Sequence, residues 1–242
     1  MLYGIISDIH GNLEALDVVL NKLSRVDKLV CLGDIVGYGP NPNECVEKIR
    51  ELKMPCVLGN HEAVGIGKTD STWFNSNARA AIQWTQRVIF QDNLDYLRDL
   101  PLRLEEDGFE MVHGSLRNPI EEYITSIADA LPTFKKMVKP ICFVGHSHIP
   151  LYIALKKDGN YVGGDLSDGE EILTDEYEKV IINVGAVGQP RDKDPRASFG
   201  IYDSKTRLFS LHRVVYNIDQ VQQKMKAVGL PQRLIDRLAT GK

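Results

Sequence analysis

The 242 residues, 43% apolar and 26% charged, have the length and balance of a globular chain with a substantial core. A net charge of −4 argues against a duplex nucleic-acid partner, whose binding face is ordinarily basic, and leaves small anionic substrates open. No apolar run reaches the length of a membrane span and no signal peptide precedes the first strand, so a cytoplasmic location is expected.

"LYGIIS" is a short apolar run that stops at Asp8 and reads as a buried strand. Leu13, Leu16, Val19, Leu20 and Leu23 then recur at helical spacing, with Glu14, Asp17 and Lys22 off that face. "KLVCLG" is a second strand, "PNPNECVEKIREL" leads through turn residues into a second helix, and "PCVLG" reads as a third strand. Alternating strands and helices imply parallel strands and an α/β fold. Residues 75 to 100 are expected to be helical, with Ala78, Ile82, Trp84 and Val88 toward the core.

After Pro101 strands predominate. "LRLEEDGFEMVHG" is a hairpin turning at "EDG". "IPLYIALKKDGNYVGG", "KVIINVGAVGQ" and "FGIYDSKTRLFSLHRVV" add further strands, two of them split at "KDGN" and "DSKT". A last amphipathic stretch from Asn217 is helical and broken near Gly229-Leu230-Pro231. Its basic residues Lys224, Lys226, Arg233 and Arg237 read as a solvated face. No repeat or low-complexity linker interrupts the chain, so residues 1–242 are expected to form one domain. Cys31, Cys45, Cys56 and Cys142 are far apart and mostly inside apolar runs, as buried free thiols would be.

Chemistry gathers where strands end. Three early strands close on "SDIHGN", "GDIVGYG" and "GNHE", and two later segments on "VHG" and "GHSH". Ligand sites of α/β sheets collect beyond the carboxyl ends of strands. Five of the six histidines, two aspartates and an asparagine could therefore converge, each beside a glycine or another small residue. A single Asp-x-His says little, but five such segments together indicate a metal centre. Mixed imidazole and carboxylate donors suit Mn, Fe or Zn ions better than Ca²⁺. The donors outnumber what one ion needs, and two ions sharing a carboxylate would lower the pKa of a water held between them. His212 lacks this context and reads as an ordinary strand residue.

The order "DIH … GD … GNHE … H … GHSH" resembles the calcineurin-like metallophosphoesterases over about residues 1 to 212. The resemblance implies a two-sheet β-sandwich flanked by helices, with the site at the strand ends. It implies that Asp8, His10, Asp34 and His148 hold one metal ion, and that Asp34, Asn60, His113 and His146 hold a second, so Asp34 bridges. It assigns His61 to the substrate, where it would stabilise or protonate the leaving oxygen. Glu62 is either a support for the site or a solvated carboxylate at a helix start. The reaction implied is hydrolysis of a phosphodiester or nucleotide phosphoanhydride by a metal-bridging hydroxide.

Where phosphoprotein phosphatases of the superfamily continue "GD" with Asp-Arg-Gly, this chain has Gly37-Tyr38-Gly39, which argues against a serine/threonine protein phosphatase. The stretch Asn183 to Asp203 resembles the small prokaryotic phosphodiesterase branch, which includes relatives labelled diadenosine tetraphosphate hydrolases. Arg191 is a candidate phosphate clamp, because a guanidinium offers forked donors. Asn12 is a helix cap that could also touch substrate. A general phosphomonoesterase is the alternative within the class; a non-catalytic scaffold of the same fold is the alternative outside it. A small phosphorylated or nucleotide substrate is expected, with no membrane partner, nucleic acid disfavoured, and a homo-oligomer left open.

Overall fold

The computed structural model describes residues 1–242. Two mixed β-sheets lie face to face, with helices on both outer faces. The first sheet contains β1 (Leu2–Ile6), β2 (Lys28–Cys31), β8 (Glu171–Leu173), β10 (Ala197–Asp203) and β11 (Leu208–Val214), ordered β2-β1-β10-β11-β8. The second contains β3 (Arg103–Glu106), β4 (Phe109–Val112), β5 (Ile141–Val144), β6 (Leu151–Lys156), β7 (Tyr161–Asp165) and β9 (Tyr177–Asn183), ordered β3-β4-β5-β9-β6-β7. Each sheet has parallel neighbours, β1 with β2 at one edge of the first and β4 with β5 with β9 in the middle of the second. These parallel strands all end at the same edge, and the site forms there.

Side-chain alternation along the strands produces three apolar layers. Ile5, Val30, Phe109, Phe143, Tyr202 and Phe209 point between the sheets and pack as interlocked aromatic and aliphatic groups. The Tyr3 and Phe109 rings meet edge to face with centroids 5.0 Å apart. Their chain neighbours Ile6 and Cys31 point outward onto the helices α1 (Leu13–Lys22), α2 (Pro42–Glu51), α7 (Ile218–Ala227) and α8 (Gln232–Leu238). Cys142 and Val144 face the other way, toward Ala130 and Phe134 of α6 (Ile127–Lys136). All four cysteines are free and buried. No helix is long and apolar enough to cross a membrane.

The structure adds to the sequence reading in two places and corrects it in one. "PCVLG" is not a strand but a single bridge of Cys56 to Cys31, because Leu58 turns away to donate to the Pro101 carbonyl at 2.8 Å. The chain then starts α3 (Asn60–Gly65) at once. Residues 75–100 are helical as expected, in two helices, α4 (Ser76–Val88) and α5 (Gln91–Arg98). Asn43 makes the break: its side chain accepts from Phe90 N at 2.8 Å and donates to Val88 O at 2.9 Å, taking over backbone groups a continuous helix would use. Helix α6 has no counterpart in the sequence reading, since it carries Pro132 inside it, a residue that normally argues against a helix interior.

Candidate metal centre

Loops leaving β1, β2, β4, β5 and β9 meet at one edge and are laced by backbone bonds. Asp8 N donates to Gly33 O at 3.0 Å, His10 N to Asp34 O at 2.9 Å, Gly145 N to His113 O at 2.8 Å, and Gly188 N to Asp8 O at 2.9 Å. The approach is so close that a Cβ on Gly188 would stand 1.8 Å from the Ile9 carbonyl oxygen. This lacing holds a strained backbone. Asp8, His10, Asp34, His146 and His148 all have positive φ, between 51° and 68°. Each costs on the order of 1–3 kcal/mol for a side-chain-bearing residue and is kept where surrounding structure over-determines it.

Asp8, His10, Asp34 and His148 form one buried group whose donor atoms all lie within 4.8 Å of one another, and Asp34, His113 and His146 form a second. Asp34 belongs to both. Asn60 joins the second group, its Oδ1 3.0 Å from His113 Nε2. The seven residues expected at the two metal positions are thus brought together, and in the expected two sets.

Hydrogen bonds decide which atoms point inward. His10, His113 and His148 each donate Nδ1–H to a backbone carbonyl, of Val36, Leu32 and Gln189, at 3.0, 2.8 and 2.6 Å. A carbonyl only accepts, so in the neutral ring the proton sits on Nδ1 and Nε2 faces the centre as a lone pair. His146 is reversed, with Nε2 toward Glu121 O at 3.3 Å and Nδ1 inward, 3.2 Å from His113 Nε2. Each aspartate likewise has one oxygen tied and one bare. Asp8 Oδ2 accepts from Ser7 Oγ and His146 N, while Asp34 Oδ1 accepts from His61 N. Asp8 Oδ1 and Asp34 Oδ2 are buried with no partner. His10 Nε2 and His148 Nε2 face each other across 3.0 Å. Two lone pairs so close repel unless a cation lies between them, and the bare carboxylate oxygens need one for the same reason. The donor set fits two metal ions.

The electrostatics agree. Burial, with Asp34 pulling the other way, holds His10 well below the ordinary histidine range; burial and His113 bring His146 to about 3. Burial resists ionisation of Asp34, yet His113 and His61 beside it keep the carboxyl well below the usual range. His113 is pushed up to about 10 against its burial, because Asp34 Oδ2 stands 3.4 Å away. A divalent ion between them would take the place of that proton.

His61 takes part differently. Its ring is buried among Tyr38, Phe74 and His10, with centroids 4.4, 4.7 and 4.7 Å away. Its Nδ1 lacks a hydrogen-bond partner and lies against Gly37, where an added Cβ would stand 2.1 Å from it. Rings, rather than an orienting carboxylate, set its direction. Phe74 is therefore part of the site, while Trp84 packs on the core. Glu62 is fully buried, not solvated. Its carboxylate accepts from the backbone N of Asp34, Val36 and Gly59 at 2.8, 2.9 and 3.0 Å, clamping the loop that carries the shared aspartate. Burial and the Asp34 charge push its pKa up to about 8 while those backbone donors oppose the rise.

Arg191 lies at the rim, its backbone N donating to His148 O at 3.2 Å and its Nη2 to Tyr38 Oη at 3.3 Å. Asn12 has both polar atoms engaged, Oδ1 capping α1 through Ala15 N at 3.1 Å and Nδ2 donating to Gly188 O at 2.9 Å. It ties the Gly188 loop to α1. His212 bonds Ser210 and stacks on Phe199, apart from the site. Tyr123, which no sequence pattern singled out, stacks on His146 with centroids 3.9 Å apart.

The fold and this donor set define a metallophosphoesterase. Residues 1–207 match the calcineurin-like phosphoesterase superfamily domain, and the chain belongs to that family. It is 41% identical to an uncharacterized protein of Methanocaldococcus jannaschii, covering all of this chain and 98% of that one. The crystal structure of a metallophosphoesterase from Sphaerobacter thermophilus superposes with a TM-score of 0.90 at 45% identity, covering 100% of this chain and 99% of that one. A symmetrical bis(5'-nucleosyl)-tetraphosphatase of Coxiella burnetii is 30% identical over 122 residues, 46% of this chain and 41% of that protein.

Proposed function

We propose that the protein is a dinuclear metal-dependent hydrolase of a phosphodiester or nucleotide phosphoanhydride. The observation that carries this reading is the pair of buried donor sets sharing Asp34, with their bare atoms turned inward. Asp8, His10, Asp34 and His148 would hold one ion, and Asp34, Asn60, His113 and His146 the other, with Mn, Fe or Zn suiting the donors. Bound there, such ions supply a hydroxide nucleophile at neutral pH and neutralise charge on the phosphoryl oxygens. His61, held by Tyr38 and Phe74, stabilises the leaving oxygen, and Arg191 at the rim receives a phosphoryl oxygen with its fork. The shared carboxylate keeps the two sets at a fixed separation, and Glu62 keeps that carboxylate in place. The tetraphosphatase named among the relatives supports a nucleotide substrate.

A substrate panel tests this. Metal-reconstituted protein is assayed on bis(p-nitrophenyl) phosphate, p-nitrophenyl phosphate and a dinucleoside tetraphosphate. Higher kcat/KM on the diester or the anhydride than on the monoester is expected. A preference for the monoester would make the protein a general phosphomonoesterase, and hydrolysis of none would leave a scaffold of the same fold.

A further inference from the structure

Beyond Arg191, a second arginine turns toward the site from a part of the chain outside the family match. Arg237 lies on α8, yet its Nη1 donates inward to Gln189 Oε1 at 3.0 Å, and Arg191 Nη2 donates to the same oxygen at 3.1 Å. The reading of Arg237 as a solvated helix face is corrected by this contact. Its Nε donates to the Lys242 backbone oxygen. Arg191 completes its contacts with Tyr38, whose ring centroid is 5.7 Å from the guanidinium carbon. Two guanidiniums thus crowd one neutral amide oxygen.

That arrangement is unfavourable by itself. Burial and the neighbouring Arg191 bring Arg237 down to about 10. Nearby arginines show the ordinary solution: Arg213 pairs with Asp192 and Asp194, and Arg196 with Asp194 and Asp168. The Arg191–Arg237 pair has no side-chain carboxylate in its hydrogen bonds; the one backbone oxygen it meets is that of Lys242, the last residue. Further donors lie buried in the same cluster without acceptors, the Gln189 Nε2 amide and Arg191 Nε. Gln189 is only 1% exposed, so its amide cannot turn to water. Two guanidiniums that line one cleft with no side-chain carboxylate between them suit an anion there.

The cleft in front of it has the size for a nucleotide. Its volume is about 610 Å³, lined by Tyr38, Arg191, Arg237 and Tyr123, of which Tyr38 packs on His10 and Tyr123 on His146. Asn75, which caps α4 by accepting from Asn77 N and Ala78 N, also lines it with Ser76 and Asn77. Asp236, held by Gln232 at 2.7 Å, is the one acidic side chain lining the cleft, against the basic Arg191, Arg233, Arg237 and Lys242.

We infer that Arg237 and Arg191, joined through Gln189, form a subsite for a second phosphoryl group beside the one at the metal centre. Resting on the phosphoesterase reading above, this narrows the substrate to one with two phosphoryl groups in a chain, a nucleotide phosphoanhydride rather than a simple diester. Arg191, against Tyr38 and His148, reaches the reacting phosphoryl group, and Arg237 the next one along.

Calorimetric binding to the metal-loaded protein tests the subsite without turnover. Adenosine monophosphate and the non-hydrolysable α,β-methylene analogue of adenosine diphosphate are titrated into wild type, Arg237→Gln and Arg237→Lys. The wild type should prefer the diphosphate analogue by about tenfold to a hundredfold, the span of a charge-assisted hydrogen bond. Arg237→Gln should remove most of that preference, and Arg237→Lys should keep part of it, retaining charge without the fork. An unchanged ratio in folded, metal-replete variants would overturn the subsite. Equal weakening of both ligands with loss of metal would do the same, since it would show that Arg237 only positions Gln189 and, through it, His148. A protein that shows the preference yet hydrolyses nothing in the panel would sink the enzymatic reading and leave the subsite standing.

Discussion

Asp34→Asn is expected to release both metal ions and to lower hydrolysis by at least about 10³-fold, more than any single change at a residue serving one ion. The reason is geometric. Asp34 is the one side chain common to both donor sets, and its bare Oδ2 stands 3.5 Å from His10 Nε2 and 3.4 Å from His113 Nε2. Asparagine keeps the shape and the oxygen that accepts from His61 N, but it removes the negative charge that both ions would share. His148→Ala should affect mainly the set containing Asp8 and His10. Elemental analysis after dialysis separates the cases: fewer than one retained equivalent for Asp34→Asn, about one for His148→Ala. Two full equivalents in Asp34→Asn would remove the bridging assignment.

His61→Ala should keep both ions and lose about 10²–10⁴-fold in kcat, the range for a positioned acid or hydrogen-bond donor. His61 offers no ring atom to either donor group, and its backbone N, which holds Asp34, survives the substitution. Its ring is buried, and burial, partly offset by Asp34 and reinforced by Arg191, brings its pKa down to about 4. At neutral pH it is therefore an uncharged imidazole, and in the proposed reaction it would stabilise the leaving oxygen by a hydrogen bond. An alkyl ester, whose leaving oxygen carries more charge in the transition state, should lose more than a p-nitrophenyl ester. Equal losses on both would move His61 onto the other phosphoryl oxygens. Loss of metal would make it a ligand.

The donors of the site were legible because each stands at the end of an apolar run beside a small residue. That local signal needs no knowledge of the fold, and it found Asp8, His10, Asp34, Asn60, His113, His146 and His148 alike. The two histidines of "GHSH" show how much structure the spacing concealed. Both adopt positive φ around Ser147, and they present opposite ring nitrogens to different donor groups. The role of Glu62 was half visible, as a carboxylate three residues after Gly59, but its burial under Asp34 and Val36 depends on a loop 26 to 28 residues away. Nothing in the sequence pattern points Tyr38, Tyr123, Gln189 or Arg237 toward the site. They matter through contacts between distant segments, such as Arg237 with Gln189, 48 positions apart. Helix α6 was hidden by Pro132, and "PCVLG" was misread because a buried bridge and a buried strand have the same apolar composition.

In the proposed reaction, two ions held by one shared carboxylate drive phosphoryl hydrolysis. Metal-depleted protein titrated with Mn²⁺ while bis(p-nitrophenyl) phosphate hydrolysis is followed tests it most directly. No activity before metal, and a rise that breaks sharply at two equivalents per chain, are expected. Hydrolysis that survives chelation, or a break at one equivalent, would contradict it.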